Sequence, residues 1–498
     1  MMYDLQTQAE VLWTPVAHTS EHLKWLDKLG AALPLIEDHW TLDENSYVHK
    51  MSISEYNKCS SDAKNSLFAQ RHIVLWEDDE AQIEAYNFDA HLIEEIGGGD
   101  PLQTFTIYDL SSYSEREFQL PLSVLTENAA AADKTGSGRI LNAISIPNLN
   151  LPGHNGENVL ASSWYAWRTS SGLPFLPRTE QYPFSTLEWC LASTAGAWTD
   201  FHIDSNGLAT RVRVISGAKL WIIAEPRPHA SFKKCDFQCY IECWDGSSLN
   251  LADFILIPIL LHPGITLIMK PLTLHAVVTT SHCVALGDQF YHNDTLHDSI
   301  YGYYHTFISS KTLTNVDHSQ AAHQQFHRML GLVYSRYILC SEYQGAASAY
   351  PPSLICHTLD LSSSESILDT VHLCVLLELG GAVYQPTYEF QPMTTLEDKI
   401  VSFFEHIYYP QMCHIIACLS VGLQERQTTS ATLHTLNPSL KQFTRNVGLI
   451  IDNIEQYEAG QRQYDMWISQ HLTSVNTGYV LKPLDDYKFY LKASEDWK

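Results

Sequence analysis

The sequence is short of positive charge. Its 498 residues carry 30 Lys+Arg against 56 Asp+Glu, a formal net charge of −26 with histidine neutral. Affinity for nucleic-acid backbones comes from clustered Lys and Arg. Direct nucleic-acid binding is therefore not expected, whereas a basic protein partner such as a histone tail suits the charge. A long apolar run is also missing. The most apolar stretch, Phe254 to Met269, is interrupted by Pro258, His262, Pro263 and Gly264, and a membrane helix needs about 20 unbroken apolar residues. No membrane association is expected, and the stretch reads as two buried strands around an HPG turn. The opening MMYDLQTQAEVLW has no basic segment leading into an apolar one, so no secretory leader is expected. The 11 cysteines are odd in number and follow no framework spacing, which suits a reducing, intracellular compartment. No basic run offers a nuclear import signal, so the nucleus would follow only from a chromatin substrate, and the cytoplasm otherwise.

What is present is the composition of a folded protein, with 45% hydrophobic and 11% aromatic residues. Residues 1–100 read as a mixed α/β extension. Ser20 to Leu35 has helical spacing of leucines behind a serine cap, while RHIVLW and FTIYDL read as strands. The glycines at 97–99 mark a turn, and Ala129 to Ala132 reads as the opening of a surface loop. Residues 101–310 form the core. From about Arg139 to His305 short β-runs (ILNAISI, LEWCLAS, VRVISGAKLWIIAEP, HAVVTT, CVALGDQFY) are separated by Gly, Pro and Ser, the pattern of a sandwich or barrel. Residues 311–498 turn helical, with candidate helices at Gln320–Leu339, Ser366–Leu379, Leu396–Leu423 and Pro438–Leu472. The expected class is α+β. Nothing in these patterns bears on oligomeric state.

One constellation carries chemistry. In Trp198-Thr-Asp-Phe-His202-Ile-Asp204 a His and an Asp stand two residues apart, and in a strand such side chains share one face. A later histidine would complete a two-His-one-carboxylate set with open positions on a metal such as Fe(II). His275, at the head of the run HAVVTT, fits that place. The spacing alone is weak among 24 histidines, and the chain has a second instance in His292-Asn-Asp294, where strand alternation has stopped. Cys235, Cys239 and Cys243 lack the second pair that a zinc site needs and read as free thiols.

The flanks add what the spacing lacks. CLASTAGAWTDFHIDSNGLATRVRVISGAKLWIIAEP resembles the Jumonji C (JmjC) family of Fe(II)- and 2-oxoglutarate-dependent oxygenases, nearest to the histone lysine demethylases with F-box or plant-homeodomain modules. Cys190, Leu191, Ser193, Thr199, Asp200, Phe201, His202, Asp204, Gly207, Gly217, Lys219 and Pro226 fall in register with that pattern. The segment HPGITLIMKPLTLHAVVTT and the run Leu286 to His292 extend the likeness, which covers roughly residues 100–305.

The resemblance implies a double-stranded β-helix, or jelly-roll, with His202, Asp204 and His275 as iron ligands. It implies that Lys219 and Thr199 hold the distal carboxylate of the cosubstrate 2-oxoglutarate, that Asn142 lies close by, and that O2 is the oxidant. A buried carboxylate needs such a paired cation and hydroxyl donor. The implied activity is hydroxylation of a C–H bond, with N-methyl-lysine demethylation of a protein or peptide as one outcome. Hydroxylation of a protein side chain or small molecule is the alternative, and a non-catalytic interaction protein of the same fold a further one. Two departures stand out. The family's F-G-G-T-S-V-W-Y becomes Ser205-Asn-Gly-Leu-Ala-Thr210-Arg211-Val212, and Gln289 replaces an asparagine. Arg211 and Val212 are expected to change the substrate wall, where the family has an aromatic pair.

Overall fold

The computed structural model describes residues 2–4, 9–11, 47–100, 102–111, 116–135, 138–148, 158–170, 182–227, 253–309 and 319–334, with short pieces between 359 and 377. Its main feature is an 11-stranded sheet. The strands are β1 (Val48–Ser52), β2 (His72–Trp76), β3 (Phe105–Asp109), β4 (Arg116–Leu120), β5 (Leu141–Pro147) and β6 (Glu188–Ser193). They continue with β7 (Trp198–His202), β8 (Ala209–Pro226), β9 (Phe254–Leu261), β10 (Ile265–Met269) and β11 (Leu274–Phe290). The order is β1-β2-β10-β8-β11-β6-β5-β3-β4, with β9 also on β8 and β7 also on β11.

The long antiparallel pair β8/β11 builds the barrel because it bends. Its register shifts between Val214 and Lys219, and Gly217 there has φ +71°. A side chain at Gly217 would put its Cβ 1.8 Å from the His282 carbonyl oxygen, so only glycine fits. Before the bend, Thr210–Arg213 pair with β10; after it, Lys219–Pro226 pair with β9. β11 likewise passes from β7, at His275 to Val278, to β6, at Cys283 to Asp288. The bent pair therefore belongs to two sheets, a smaller one ordered β9-β8-β11-β7 and a larger one carrying the rest.

Those sheets face each other. Val212 and Val214 of the larger pack in one cluster with Trp221, Ile223, Ile257 and Val277 of the smaller. Strand alternation sends the neighbours Ile215, Cys190, Ala192, Val284 and Leu286 outward, where helices α3 (Ala90–Ile96) and α4 (Ser123–Thr135) cover them with Leu92, Ile96 and Leu125. Each large aliphatic side chain so buried contributes about 2 kcal/mol. This is a jelly-roll core with helices, the α+β class expected. Phe254 to Met269 forms the successive strands β9 and β10, which pair with opposite halves of β8 rather than with each other; every residue of β9 is buried, and the turn between them uses Gly264 at φ +92°. Ahead of the core, β1 runs into α1 (Ile53–Lys58), whose cap Ser52 and Glu55 form a reciprocal capping box, and α2 (Ser61–Gln70) leads to β2.

Two expectations are corrected. The alanine run 129–132 lies inside α4 rather than in a loop, because alanine has the highest helix propensity and Ala129 packs inward. HAVVTT and CVALGDQFY are one continuous strand, since the polar Ser281-His282 between them stays extended at the bend.

By its internal contacts the chain divides into two compact units. One comprises residues 1–161, 182–291 and 301–318, and holds the whole 11-stranded sheet; the other comprises 162–181, 292–300 and 319–498. In the second, α5 (Ser162–Ser170) packs against α6 (Ser319–Tyr334), and the guanidinium of buried Arg328 lies 4.5 Å over the Trp167 ring. Helix α6 falls within the expected Gln320–Leu339 segment but for one residue, and scattered residues between Ser366 and Leu377 are helical. The segments Ser20–Leu35, Leu396–Leu423 and Pro438–Leu472 and the cysteines 235, 239 and 243 lie outside the described residues. Among the described residues no helix is long and apolar enough to cross a membrane.

Candidate metal centre and its pocket

His202 is the last residue of β7 and sits opposite His275 of β11 in the sheet register. The chain stays extended through Asp204 (φ −67°, ψ 142°) and then turns sharply at Ser205–Gly207, where Asn206 takes a left-handed φ of 57°. That turn is pinned by the Tyr291 hydroxyl, which donates to the Asn206 carbonyl at 2.6 Å, and by the Asn206 amide, which donates to Thr306 Oγ1 at 2.7 Å. His202 and Asp204 thus share a face at a fixed strand exit.

Each imidazole is oriented by its own backbone. His202 Nδ1 lies 2.8 Å from the Asp200 carbonyl and His275 Nδ1 lies 3.0 Å from the Thr273 carbonyl. A carbonyl only accepts, so each Nδ1 carries a proton, and Nε2 is the nitrogen of each ring placed to meet a metal. The two ring centroids are 4.2 Å apart, and Trp221 stacks on His275 at 5.5 Å and 12°. Asp204 Oδ1 lies 3.9 Å from His275 Nε2, and its Oδ2 accepts a short hydrogen bond from Thr210. One ligand atom from each of His202, Asp204 and His275 lies within 4.8 Å of the others, the one such group of three among the described residues. Burial, and then the neighbouring His275 ring, holds His202 far below the usual imidazole range, at about 3. Two imidazoles and a carboxylate are the donor set of a first-row divalent metal with open coordination positions.

Behind the triad lies a pocket that is partly open to solvent. Its lining includes Asn142, Thr199, His202, Asp204, Lys219 and His275, so all six site residues expected from the sequence meet in one cavity. Lys219, the first residue after the bend of β8, is only 3% exposed. Its ammonium donates to Ser193 Oγ at 2.9 Å and Thr279 Oγ1 at 3.0 Å, and Ser193 Oγ donates to Asn142 Oδ1 at 2.7 Å. Burial pushes the Lys219 ammonium below the usual lysine range. Among the described residues no carboxylate pairs with it. A buried cation held by two neutral hydroxyls is costly, and an anion entering the pocket would relieve that cost.

Sequence reasoning did not assign Ser193, Thr279, Thr210 or Trp221. Thr279 was accessible from strand alternation, since 275, 277 and 279 share a face. Thr210 and Trp221 depend on which strands become neighbours, which no local pattern reports. The expected change of substrate wall is not at Arg211 and Val212. Arg211 points off the pocket and its Nε donates to Asp288 Oδ1 at 2.5 Å, while Val212 is fully buried in the core; neither lines the pocket. Gln289, by contrast, does line it.

No protein-family model matches the chain. Among curated proteins it is similar to Lysine-specific demethylase 7B of Danio rerio, at 29% identity over 112 residues, 21% of this chain and 18% of that protein. It is 30% identical over 119 residues to JmjC domain-containing histone demethylation protein 1 of Cryptococcus neoformans, 22% of this chain and 13% of that protein. With a Lysine-specific demethylase 7A of Danio rerio it shares 22% identity over 229 residues, 42% of this chain and 25% of that protein. The chain thus spans a quarter or less of the length of these relatives. Together with the jelly-roll barrel and its His-Asp-His group, the chain is thus similar to JmjC lysine demethylases over less than half of its length.

Proposed function

We propose that the chain is an Fe(II)- and 2-oxoglutarate-dependent oxygenase of JmjC type, acting on a C–H bond of a protein or peptide, with the N-methyl group of a histone lysine as the first substrate to test. The observation that carries this is the joint one of a three-residue ligating group and, in the same pocket, a buried Lys219 ammonium that no carboxylate among the described residues pairs with. The printed names of the relatives favour a methylated histone substrate, and a net charge of −26 favours a basic partner. This reading puts the protein inside the cell, and in the nucleus where histones are.

His202, Asp204 and His275 would hold the metal, and their backbone anchors leave the ligand atoms pre-oriented. When bound, iron with 2-oxoglutarate and O2 supplies the oxidising power for C–H hydroxylation; a hydroxylated N-methyl carbon leaves as formaldehyde. Lys219 binds the distal carboxylate of the cosubstrate, Thr199 adds a hydroxyl donor, and Asn142 holds the Ser193 hydroxyl that faces Lys219. The apolar walls Leu191, Trp221 and Val277 limit water in the pocket.

Anaerobic titration of iron-loaded protein with 2-oxoglutarate tests the reading through the visible metal-to-ligand charge-transfer band. Mass spectrometry of methylated histone peptides incubated with iron, 2-oxoglutarate and ascorbate then tests the substrate. A saturable band, and loss of methyl groups matched by succinate, are expected. Absence of the band in folded protein overturns the oxygenase reading.

A further inference from the structure

Asp204 is the one member of the triad whose orientation is not set by a backbone carbonyl. It leaves β7 on an extended residue just before a sharp turn, and its side chain is free to rotate about two bonds. The described structure holds it by one side-chain hydrogen bond, from Thr210 Oγ1 to Oδ2. Thr210 is 2% exposed, sits on the pocket-facing side of β8, and is paired on both flanks, with Met269 of β10 and Gln289 of β11. Its hydroxyl is therefore anchored in the floor of the larger sheet, where it cannot follow a rotating carboxylate. Because Oδ2 is taken, Oδ1 is the oxygen left beside the His275 ring, 3.9 Å from Nε2.

We infer that Thr210 is a positioning residue for the metal centre, which fixes Asp204 as a one-oxygen ligand by occupying its other oxygen. The inference rests on the proposed metal site. It predicts that the hydroxyl, not the bulk, of residue 210 sets metal affinity and geometry, an outer-shell effect of about ten- to a hundredfold in affinity.

The test uses the full chain and cobalt(II), whose visible ligand-field bands report coordination without turnover. Wild type, Thr210→Val and Thr210→Ser are titrated with cobalt, and the melting temperature of each metal-free protein is recorded. Valine keeps the branched shape and removes only the hydroxyl; serine keeps the hydroxyl and removes a methyl. The expected result is a ten- to hundredfold weaker cobalt affinity and altered bands for Thr210→Val at an unchanged metal-free melting temperature, with affinity and bands restored in Thr210→Ser. Equal affinity and bands in wild type and Thr210→Val overturn the inference while leaving the metal site standing. So does a Thr210→Ser variant as weak as Thr210→Val, since shape would then be what matters. A wild type that binds no cobalt overturns the metal site itself, and the inference with it.

Discussion

The chain contains two His-x-Asp sequences, and they end in different structures. His202 and Asp204 lie at the exit of a strand, each imidazole of the pair His202/His275 is tied to a backbone carbonyl, and a third ligand arrives from the neighbouring strand. His292 and Asp294 lie beyond the end of β11, at a short 3-10 turn. There the Asp294 carboxylate is 40% exposed and sits 3.7 Å from His292 Nε2, and no third ligating side chain completes a group among the described residues. His292 Nδ1 instead faces the Ser162 hydroxyl at 3.5 Å, which also accepts the Asn293 amide. The spacing is shared; what differs is sheet pairing. A ligand set needs a neighbouring strand to bring its third member, and only the first motif has one.

The largest effect should separate the two motifs outright. His202→Ala removes one of the three proposed ligands and should abolish cobalt or iron binding, whereas His292→Ala should leave metal stoichiometry at the wild-type value. Metal titration of both variants, with circular dichroism to confirm folding, is the measurement. Metal loss in the His292 variant together with full binding in the His202 variant would reverse the assignment.

The next effect concerns what else the first region holds. Lys219→Ala removes the cation that no carboxylate among the described residues pairs with, and a buried charge pair broken on one side costs about 3–5 kcal/mol. That corresponds to roughly a hundred- to several-thousandfold in 2-oxoglutarate affinity, with metal affinity nearly unchanged. The charge-transfer titration reads both quantities. Saturation of wild type and variant at similar cosubstrate concentrations would make Lys219 a structural residue of the hydroxyl network.

Much of this was legible in the residues themselves. The two strands within Phe254 to Met269 could be read because two prolines and a glycine leave apolar runs too short for a helix. The grouping of His202, Asp204 and His275 was legible only through the flanks of His202, since bare spacing did not separate a metal site from satisfied histidines. The strand Val48–Ser52 was not read, because it is a parallel edge partner of β2 whose ends alone are buried, so it shows no alternation. The roles of Ser193, Thr279 and Thr210 were hidden for another reason: hydroxyls gain meaning from the charge they face, and Lys219 and Asp204 face them across strands.

A smaller effect is a pH dependence. His202 in the folded protein titrates near 3 against an ordinary 6.5, because burial and the His275 ring disfavour its charged form. Between those values the unfolded chain binds the proton and the folded chain does not, so stability rises with pH across the window. The contribution is fully present above about pH 6.5 and is lost as pH falls toward about 3. His327 and His372, both buried and lowered, act with the same sign. The informative quantity is therefore the difference between metal-free wild type and His202→Gln in denaturant midpoint from pH 7 to pH 4. The wild type should show the steeper loss; parallel profiles would mean that His202 is solvated in solution.

The smallest effect completes the contrast between the motifs. Asp204→Asn strikes a carboxylate inside the ligand group, whereas Asp294→Asn strikes one that is 40% exposed and 3.7 Å from its histidine. The contact is long and its carboxylate is solvated, so it contributes little to stability. Asparagine keeps the size and an acceptor oxygen, so the turn at 293–295 has no reason to rearrange. Asp294→Asn should thus shift the denaturant midpoint only slightly and leave cobalt affinity, band positions and cosubstrate affinity at wild-type values. A fall in cobalt affinity with Asp294→Asn, at unchanged stability, would mean that the second motif takes part in metal binding and that strand pairing is not what distinguishes the two.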